Sequence, residues 1–417
     1  MLNRRSFLQK SFSAALVSII PRYVLGGPGF IAPSDQLTKA VIGVGGMGRW
    51  HVKYTPGKLL AVCDVDKQHL QNALDLGGPG VDGYKDFREV LERTDIDIIH
   101  IATPPHWHGF IALAAAEAGK DIWCEKPMTR TIHEGQKVVE AVRRNGCIFR
   151  INTWFRFESE FYGFGTTVAP IKKAVQNGLF GWPLKVTVSK ETGFEWKFYW
   201  SGKTNLKPQW IPEDLDYDMW LGPAPYKAYH PHRVHETFRG YWDYDGGGLG
   251  DMGQHYLDPV QYILGKDHTS PVEIEADAPQ AHPDAVGSWR RLWMKYADGC
   301  EIILDGVAQE KNAAFIEGPD GKLFPGFESD IEHVKEKLST LPDPEPQISD
   351  FSHAVRTRRK FALNETNGHR STTLVNLGKI AIRLGRKLYF DPEQQKFVND
   401  EGANRMIKQR MRTPWQL

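Results

Sequence analysis

Gly43-Val44-Gly45-Gly46-Met47-Gly48 is the stretch that decides the fold. It ends an apolar run, Ala40–Val44, that predicts a β-strand, and a helical stretch comes after it. The chain has 40 glycines, so the spacing alone would mean little. Its place between a strand and a helix is informative, because a Gly-x-Gly-x-x-Gly turn there is typical of a dinucleotide-binding βαβ unit.

Each glycine of this turn has a separate physical task. Gly43 permits the tight turn, Gly45 lets the backbone approach a pyrophosphate at a helix N-terminus, and Gly48 allows close packing. Asp64 ends the next predicted strand, where a carboxylate accepts hydrogen bonds from a ribose diol and repels a 2′-phosphate. The sequence therefore predicts NAD rather than NADP, bound by Gly43, Gly45, Gly46, Met47, Gly48 and Asp64.

The order of predicted elements divides the chain into two domains. Residues 34–154 alternate strands with helices, which predicts a doubly wound parallel sheet of the Rossmann class. Residues 155–370 contain strand-like runs without intervening helices, which predicts an α+β domain with a large, mostly antiparallel sheet. A helix over residues 371–386 is expected to pack back on the first domain. Residues 387–417 are interpreted as an arm over the surface or a neighbouring subunit, or as a solvated tail.

Charge and the N-terminal residues narrow the classes of function. The chain has 417 residues, with 52 Lys and Arg against 51 Asp and Glu, so nothing favours a nucleic-acid partner. The pair Arg4-Arg5 precedes the apolar run Phe12–Ile20, which is too short to span a bilayer, since about 20 residues are needed. Residues 1–33 resemble a twin-arginine export signal, which predicts a periplasmic or otherwise exported protein without a membrane span; a disordered basic N-terminus is the alternative.

Two further segments follow predicted strands at the same edge of the parallel sheet. Trp123-Cys124-Glu125-Lys126-Pro127 places a lysine at the carboxyl end of a strand, where open α/β sheets bind ligands. Thr103-Pro104-Pro105-His106-Trp107-His108 ends the preceding strand. We expect the nicotinamide half of the site to be lined by Thr103, Pro104, His108, Glu125 and Lys126. We predict no metal site, because neither these histidines nor the group His230, His232 and His235 has a clear further ligand.

The glycine-rich stretch 246–253 leads into a helix that carries Asp251 and His255. Residues four apart share one helix face, so the acid can orient the imidazole and raise its pKa toward the working pH, as a general base requires. A helix-capping aspartate beside a buried structural histidine is the alternative interpretation.

These motifs, in this order, closely resemble those of the Gfo/Idh/MocA oxidoreductases, from about Lys39 to Arg386. The stretch 220–225 and Pro414-Trp415 resemble the exported branch of that family. The resemblance implies that Lys126 contacts the nicotinamide ribose and the reacting hydroxyl, while Asp251 and His255 hold and deprotonate that hydroxyl. It also implies that Arg156 lines the cleft and that the chain forms a homo-oligomer, a dimer or tetramer, through its open sheet.

Aromatic residues suggest the substrate. Residues 182–242 contain six of the thirteen tryptophans, and Trp242 and Tyr244 flank the glycine-rich stretch. Aromatic faces suit the apolar C–H faces of sugars, whereas packing in a core is the alternative. We therefore predict an NAD-dependent sugar or glycoside dehydrogenase with tightly bound NAD, acting on a hydroxyl such as position 3, which is typical of relatives. Two alternatives are a redox-neutral NAD-dependent glycosidase and a non-catalytic sugar- or NAD-binding protein.

Overall fold

A computed structural model describes residues 36–54, 57–157 and 160–417. The predicted export signal, residues 1–33, lies outside the described residues. Within the described ranges, no helix combines the length and the apolar character needed to cross a membrane. The four cysteines, Cys63, Cys124, Cys147 and Cys300, are buried free thiols.

The first domain is built on a six-stranded parallel sheet with the order β3-β2-β1-β4-β5-β6. Its strands are β1 (Thr38–Ile42), β2 (Lys58–Cys63), β3 (Asp82–Tyr84), β4 (Ile98–Ile101), β5 (Asp121–Cys124) and β6 (Phe149–Ile151). The strand order reverses between β1 and β4, and such a switch point is where doubly wound sheets bind ligands. The predicted Rossmann architecture is therefore confirmed.

Among the described residues, five helices connect these strands: α1 (Gly46–Lys53), α2 (Lys67–Gly77), α3 (Phe87–Leu91), α4 (Pro105–Glu117) and α5 (Ile132–Asn145). Local sequence sets their ends. The Asp66 carboxylate caps the N-terminus of α2, and Thr131 and Glu134 form a capping box at the start of α5. Helix α4 begins at Pro105, because proline suits the first helical position.

The second domain contains a nine-stranded, mostly antiparallel sheet with the order β13-β12-β11-β7-β10-β9-β8-β14-β15. Its strands are β7 (Lys185–Ser189), β8 (Glu273–Asp277), β9 (Arg291–Lys295), β10 (Glu301–Asp305), β11 (Ile316–Gly318), β12 (Gly321–Phe324), β13 (Glu328–Ser329), β14 (Leu388–Asp391) and β15 (Lys396–Phe397). Strands β14 and β15 lie in the segment predicted to be an arm. Leu388 and Phe390 are buried on one face of β14, and β14 pairs with β8, so this segment extends the edge of the sheet.

In the described part of the second half there are seven helices: α6 (Val168–Gln176), α7 (Tyr217–Leu221), α8 (Gly247–Leu264), α9 (Val334–Thr340), α10 (Phe351–Thr357), α11 (Glu365–Leu384) and α12 (Glu401–Asn404). Short 3₁₀ turns span Trp154–Arg156, Lys190–Thr192, Pro231–Arg233, His235–Gly240 and Pro325–Phe327. Helix α11 packs against α8 and β8 of its own domain and against α5 of the first. It thereby joins the two domains beside the cavity described next.

Candidate active site

A cavity of about 630 Å³ lies where the two domains meet. One end is lined by the glycine turn and Asp64, the other by Lys126 and Asp251. The second domain adds an aromatic and basic wall with Trp200, Trp220, Phe238 and Arg239. Residues that are far apart in the sequence therefore share one hollow at the carboxyl edge of the parallel sheet.

The glycine turn has no room for larger residues at two positions. Gly43 has φ of +81°, and a Cβ there would lie 2.6 Å from the Thr103 backbone nitrogen. A Cβ on Gly48 would lie 1.8 Å from the Gly43 carbonyl oxygen. Gly43, Gly45, Gly46 and Met47 line the cavity, while Gly48 is buried beneath the turn. This close approach of backbone to backbone fits a dinucleotide phosphate turn.

Asp64 lies at the ribose end of the cavity, and its carboxylate is held by backbone amides. Val44 N donates to Oδ2 at 2.8 Å and Asp66 N donates to Oδ1 at 2.9 Å. The side chain is thereby fixed in the wall while each oxygen keeps a lone pair for a ribose hydroxyl. Its position fits NAD.

A segment of the second domain is hydrogen-bonded to the chain next to this ribose end. Lys67 N donates to the Asp214 carbonyl at 2.9 Å, and Asp216 N donates to the Val65 carbonyl at 3.0 Å. We call residues 213–216 the strap. Next to it, Asp66, His69 and His235 bring one ligand atom each within 4.8 Å of the others. The sequence pattern did not predict this grouping, because His235 reaches it from the other domain.

The segment after β4 and the turn after β5 are tied together. His108 contacts the carbonyl oxygens of Thr103 and Pro127 through its two ring nitrogens, both at 2.7 Å. Thr103, Pro104, His108, Glu125 and Lys126 all line the cavity, as the sequence predicts for the nicotinamide half. Burial lowers the pKa of His108.

Lys126 and Asp251 meet across the domain boundary. Lys126 Nζ donates to Asp251 Oδ1 at 2.8 Å and to the Asp251 carbonyl at 2.6 Å. Arg239 Nε donates to the same carboxylate at 3.0 Å, and Lys197 Nζ lies 3.5 Å from it. Burial alone would raise the pKa of Asp251, but the nearby cations, Lys126 first, hold it far below its usual range. Asp251 is therefore an ionised carboxylate surrounded by cations.

His255 lies one turn further along α8, which begins at Gly247, so that both Asp251 and His255 are helical. Burial lowers the pKa of His255 to about 3, and the charge of Lys126 acts in the same direction. The sequence reasoning expected Asp251 to raise this pKa; the charge of Asp251 does act in that direction, but the net shift is downward. The reason is that burial of the imidazole, which packs against the ring of Phe155, and the charge of Lys126 outweigh the effect of Asp251. His255 is thus a neutral imidazole at ordinary pH.

Sequence reasoning missed the residues that hold Glu125. His51 Nε2 contacts Glu125 Oε1 at 2.8 Å, and Asn152 Nδ2 donates to the same oxygen at 2.6 Å. Burial would raise the pKa of Glu125, but these contacts and the charge of Lys126 lower it to about 2. His51 lies on α1, three residues after Gly48. This position next to the glycine turn is the only feature of the sequence that could have indicated a role for His51 in the site. Together these side chains fix the carboxylate that precedes Lys126.

The three residues predicted to contact substrate lie outside the cavity, and the predicted catalytic residue His255 is buried and is not among the residues that line it. Arg156 is buried, and its guanidinium donates to the carboxylates of Asp258 and Asp267 at 2.8 to 2.9 Å. Trp242 is 3% exposed and donates from Nε1 to the His282 carbonyl, while Tyr244 is fully buried. The structure thus uses these aromatic residues for packing, the alternative that the sequence left open. The aromatic residues of the cavity wall are others, with Trp200 and Trp220 among them.

Comparison with known proteins supports these observations. Residues 37–153 match the model "Oxidoreductase family, NAD-binding Rossmann fold" and residues 164–417 match "Oxidoreductase family, C-terminal alpha/beta domain". A glycosyl hydrolase family 109 protein of Shewanella pealeana is 29% identical over 247 residues, 49% of this chain and 52% of that protein. Levoglucosan dehydrogenase of Pseudarthrobacter phenanthrenivorans is 28% identical over 181 residues, 43% of this chain and 36% of that protein. The chain spans about half the length of the curated relatives it matches first.

Solved structures agree in fold. The WlbA dehydrogenase from Bordetella pertussis, in complex with NADH and UDP-GlcNAcA, superposes with a TM-score of 0.59 at 17% identity, covering 85% of this chain and 99% of that one. A levoglucosan dehydrogenase in complex with NADH and levoglucosan has a TM-score of 0.54 at 19% identity, covering 85% and 99%. With both domains matched by the family models, the chain belongs to the Gfo/Idh/MocA oxidoreductase family.

Proposed function

We propose that this protein is an NAD-dependent oxidoreductase that transfers a hydride between a hydroxyl-bearing carbon of a sugar or glycoside and tightly bound NAD. One observation carries the proposal: Lys126 at the end of β5 and Asp251 on α8 meet at 2.8 Å in a cavity that continues to the glycine turn. An acid–lysine pair beside a dinucleotide site suits the oxidation of an alcohol.

The residues of the chain divide the work as follows. NAD, when bound, supplies the hydride acceptor, and the residues that would hold it are the glycine turn, Asp64, Thr103 and Pro104. The Lys126 ammonium donates a hydrogen bond to the substrate hydroxyl oxygen and stabilises the negative charge that grows there. The Asp251 carboxylate orients Lys126. Asp251 is held ionised by its three cations, and the neutral His255 imidazole, one helix turn away, takes the hydroxyl proton even though burial lowers its pKa to about 3.

Retention of the cofactor fits the predicted export of the protein. An exported enzyme finds no soluble NAD pool, so it must carry its cofactor and regenerate it in place. The strap is hydrogen-bonded to residues 65–67 beside the ribose end of the cavity, and this tie between the domains supports slow release. We propose that the enzyme acts outside the cytoplasm and works as a homo-oligomer through the open sheet; cell fractionation and light scattering of the purified protein test these two points.

A second candidate function is a redox-neutral glycosidase, which the similarity to glycosyl hydrolase family 109 proteins favours. Oxidation of one carbon acidifies the neighbouring C–H, the glycosidic bond is then eliminated, water adds, and the hydride returns to the sugar. NAD is regenerated in each turnover, which removes the need for an external acceptor.

Product analysis separates the candidates. Purified protein is incubated with a glycoside panel while the absorbance of reduced nicotinamide and the product masses are recorded. A keto-sugar with reduced cofactor supports the dehydrogenase, and net hydrolysis with neither supports the glycosidase. Lys126→Ala and His255→Ala should each lower turnover by about 10²- to 10⁴-fold, while the exposed Lys207→Gln serves as the control. Unchanged turnover in both site variants would favour a non-catalytic binding protein instead.

A further inference from the structure

The reacting end of the cavity carries more positive charge than the proposed chemistry uses. Lys126, Arg239 and Lys197 converge on the single carboxylate of Asp251 at 2.8, 3.0 and 3.5 Å. Lys126 and Asp251 balance each other as the reacting pair. Arg239 and Lys197 are then two cations beside a site where an uncharged sugar would need none.

Neighbouring acids compensate these cations only in part. Glu125 is hydrogen-bonded to His51 and Asn152 and acts electrostatically on Lys126. Burial raises the pKa of Asp245 to about 7, although Lys379 and Arg239 both act to lower it. Glu236 lines the cavity but is solvent-exposed, and the Arg239 guanidinium contacts its carbonyl oxygen rather than its carboxylate. An uncompensated positive charge in a partly closed cavity attracts and holds anions.

Both cations keep unused hydrogen-bond donors. Arg239 uses Nε for Asp251 and Nη1 for the Glu236 carbonyl, and among the described residues Nη2 has no partner. The 3.5 Å approach to Asp251 is the only ion pair of the Lys197 ammonium in the described part of the chain. The Arg239 guanidinium also lies over the rings of Trp200 and Phe238, 4.9 Å from each centroid, which holds it at the cavity wall.

We propose that the substrate is an anionic sugar or glycoside, whose carboxylate or sulfate ester is bound by Arg239 and Lys197 while its hydroxyl lies at Lys126. This inference rests on the proposed function and specifies its substrate class. A carboxylate presents acceptor oxygens that match the free edge of a guanidinium, and charge-assisted hydrogen bonds of this kind are stronger than those to neutral hydroxyls.

Binding and turnover are measured separately on the NAD-saturated protein. Methyl glucuronide, methyl galacturonide, methyl glucoside 6-sulfate and the neutral methyl glucoside and galactoside are titrated calorimetrically, and each is then assayed for cofactor reduction and hydrolysis. We expect at least one anionic ligand to bind about 10- to 100-fold more tightly than its neutral counterpart. The uronides and the sulfate ester show which anion fits.

Variants then locate the anion. Arg239→Gln and Lys197→Gln should each reduce the preference for the anionic ligand by about 10-fold, Arg239→Lys should restore part of it, and the exposed Arg356→Gln and Lys207→Gln should leave it unchanged. A preference of less than twofold in the native protein would overturn the proposal, even if neutral glycosides are oxidised and the proposed function stands. A loss of NAD affinity in Arg239→Gln as large as the loss of preference would also overturn it, because the cation would then serve the cofactor phosphates.

Discussion

Asp251→Asn should destabilise the protein more than Lys126→Gln, although the two residues are direct partners. Removing Asp251 leaves three cations facing one another, with side-chain exposures of 13%, 21% and 38% for Lys126, Arg239 and Lys197. Breaking a fully buried ion pair costs about 3–5 kcal/mol, and the partial exposure of these cations reduces that to about 2–3 kcal/mol. Removing Lys126 leaves Asp251 two cations, so we expect a loss of about 1 kcal/mol.

Urea unfolding followed by tryptophan fluorescence measures this difference, with the two variants compared at pH 7 and at equal m-values. Asp343→Asn is the matched control, because Asp343 is 83% exposed and its pair with Lys173 contributes little. Both site variants should also lose turnover by about 10²-fold or more. If Lys126→Gln is as destabilised as Asp251→Asn, Arg239 and Lys197 do not share the carboxylate, and the charge argument for this site fails.

Three other perturbations address the cofactor turn, the acid stability and the domain contact. Gly48→Ala should abolish NAD binding in a titration, because the added Cβ would lie 1.8 Å from the Gly43 carbonyl oxygen. Gly287→Ala is the control and should bind NAD normally, because the position has open space around it. Wild-type NAD affinity in Gly48→Ala would contradict the assignment of the turn. The free energy of unfolding should fall as the pH decreases from 6.5 toward 4. Each buried neutral histidine that takes up a proton only on unfolding should contribute about 1.4 kcal/mol per pH unit. Urea midpoints that stay constant over this range would refute the prediction. Burial lowers the pKa of His106 and of His255 to about 3, and that of His369 to about 4. Gly135→Ala should lower the free energy of unfolding by about 1–3 kcal/mol in thermal unfolding, since the added Cβ would lie 2.2 Å from His369 Nδ1. An unchanged midpoint would show that α11 can shift freely against α5.

The sign of the acid effect follows from where each proton is bound. Above pH 6.5 these histidines are neutral in both states, so they add no pH dependence. Below pH 6.5 the unfolded chain binds protons that the folded chain does not, and the folded state loses stability until the pH reaches the lowered pKa values. Replacing His369 by glutamine should remove one histidine's share of the slope.

The local sequence pattern was sufficient to predict those site residues that lie at the end of a strand or at the start of a helix. The glycine turn, Asp64 and the segments around Thr103 and Lys126 all follow parallel strands, and parallel strands deliver their carboxyl ends to one edge. Asp251 could be placed beside them only through the resemblance to a family, because it belongs to the other domain. Its four-residue spacing to His255 set a shared helix face but not the pKa of the imidazole.

What the sequence by itself determined is the backbone plan: a parallel sheet with a dinucleotide turn, an antiparallel second domain, and the positions of the motifs on both. Tertiary structure alone decided which side chains face the cavity. Arg156 is held by two carboxylates, and Trp242 and Tyr244 are used in packing. Arg239 reaches Asp251 from a 3₁₀ turn and Lys197 from a loop, neither of which has a periodic sequence pattern. The physical reason is that burial and electrostatic interactions depend on which residues are close in space. A short sequence pattern contains this information only for residues that are also close along the chain.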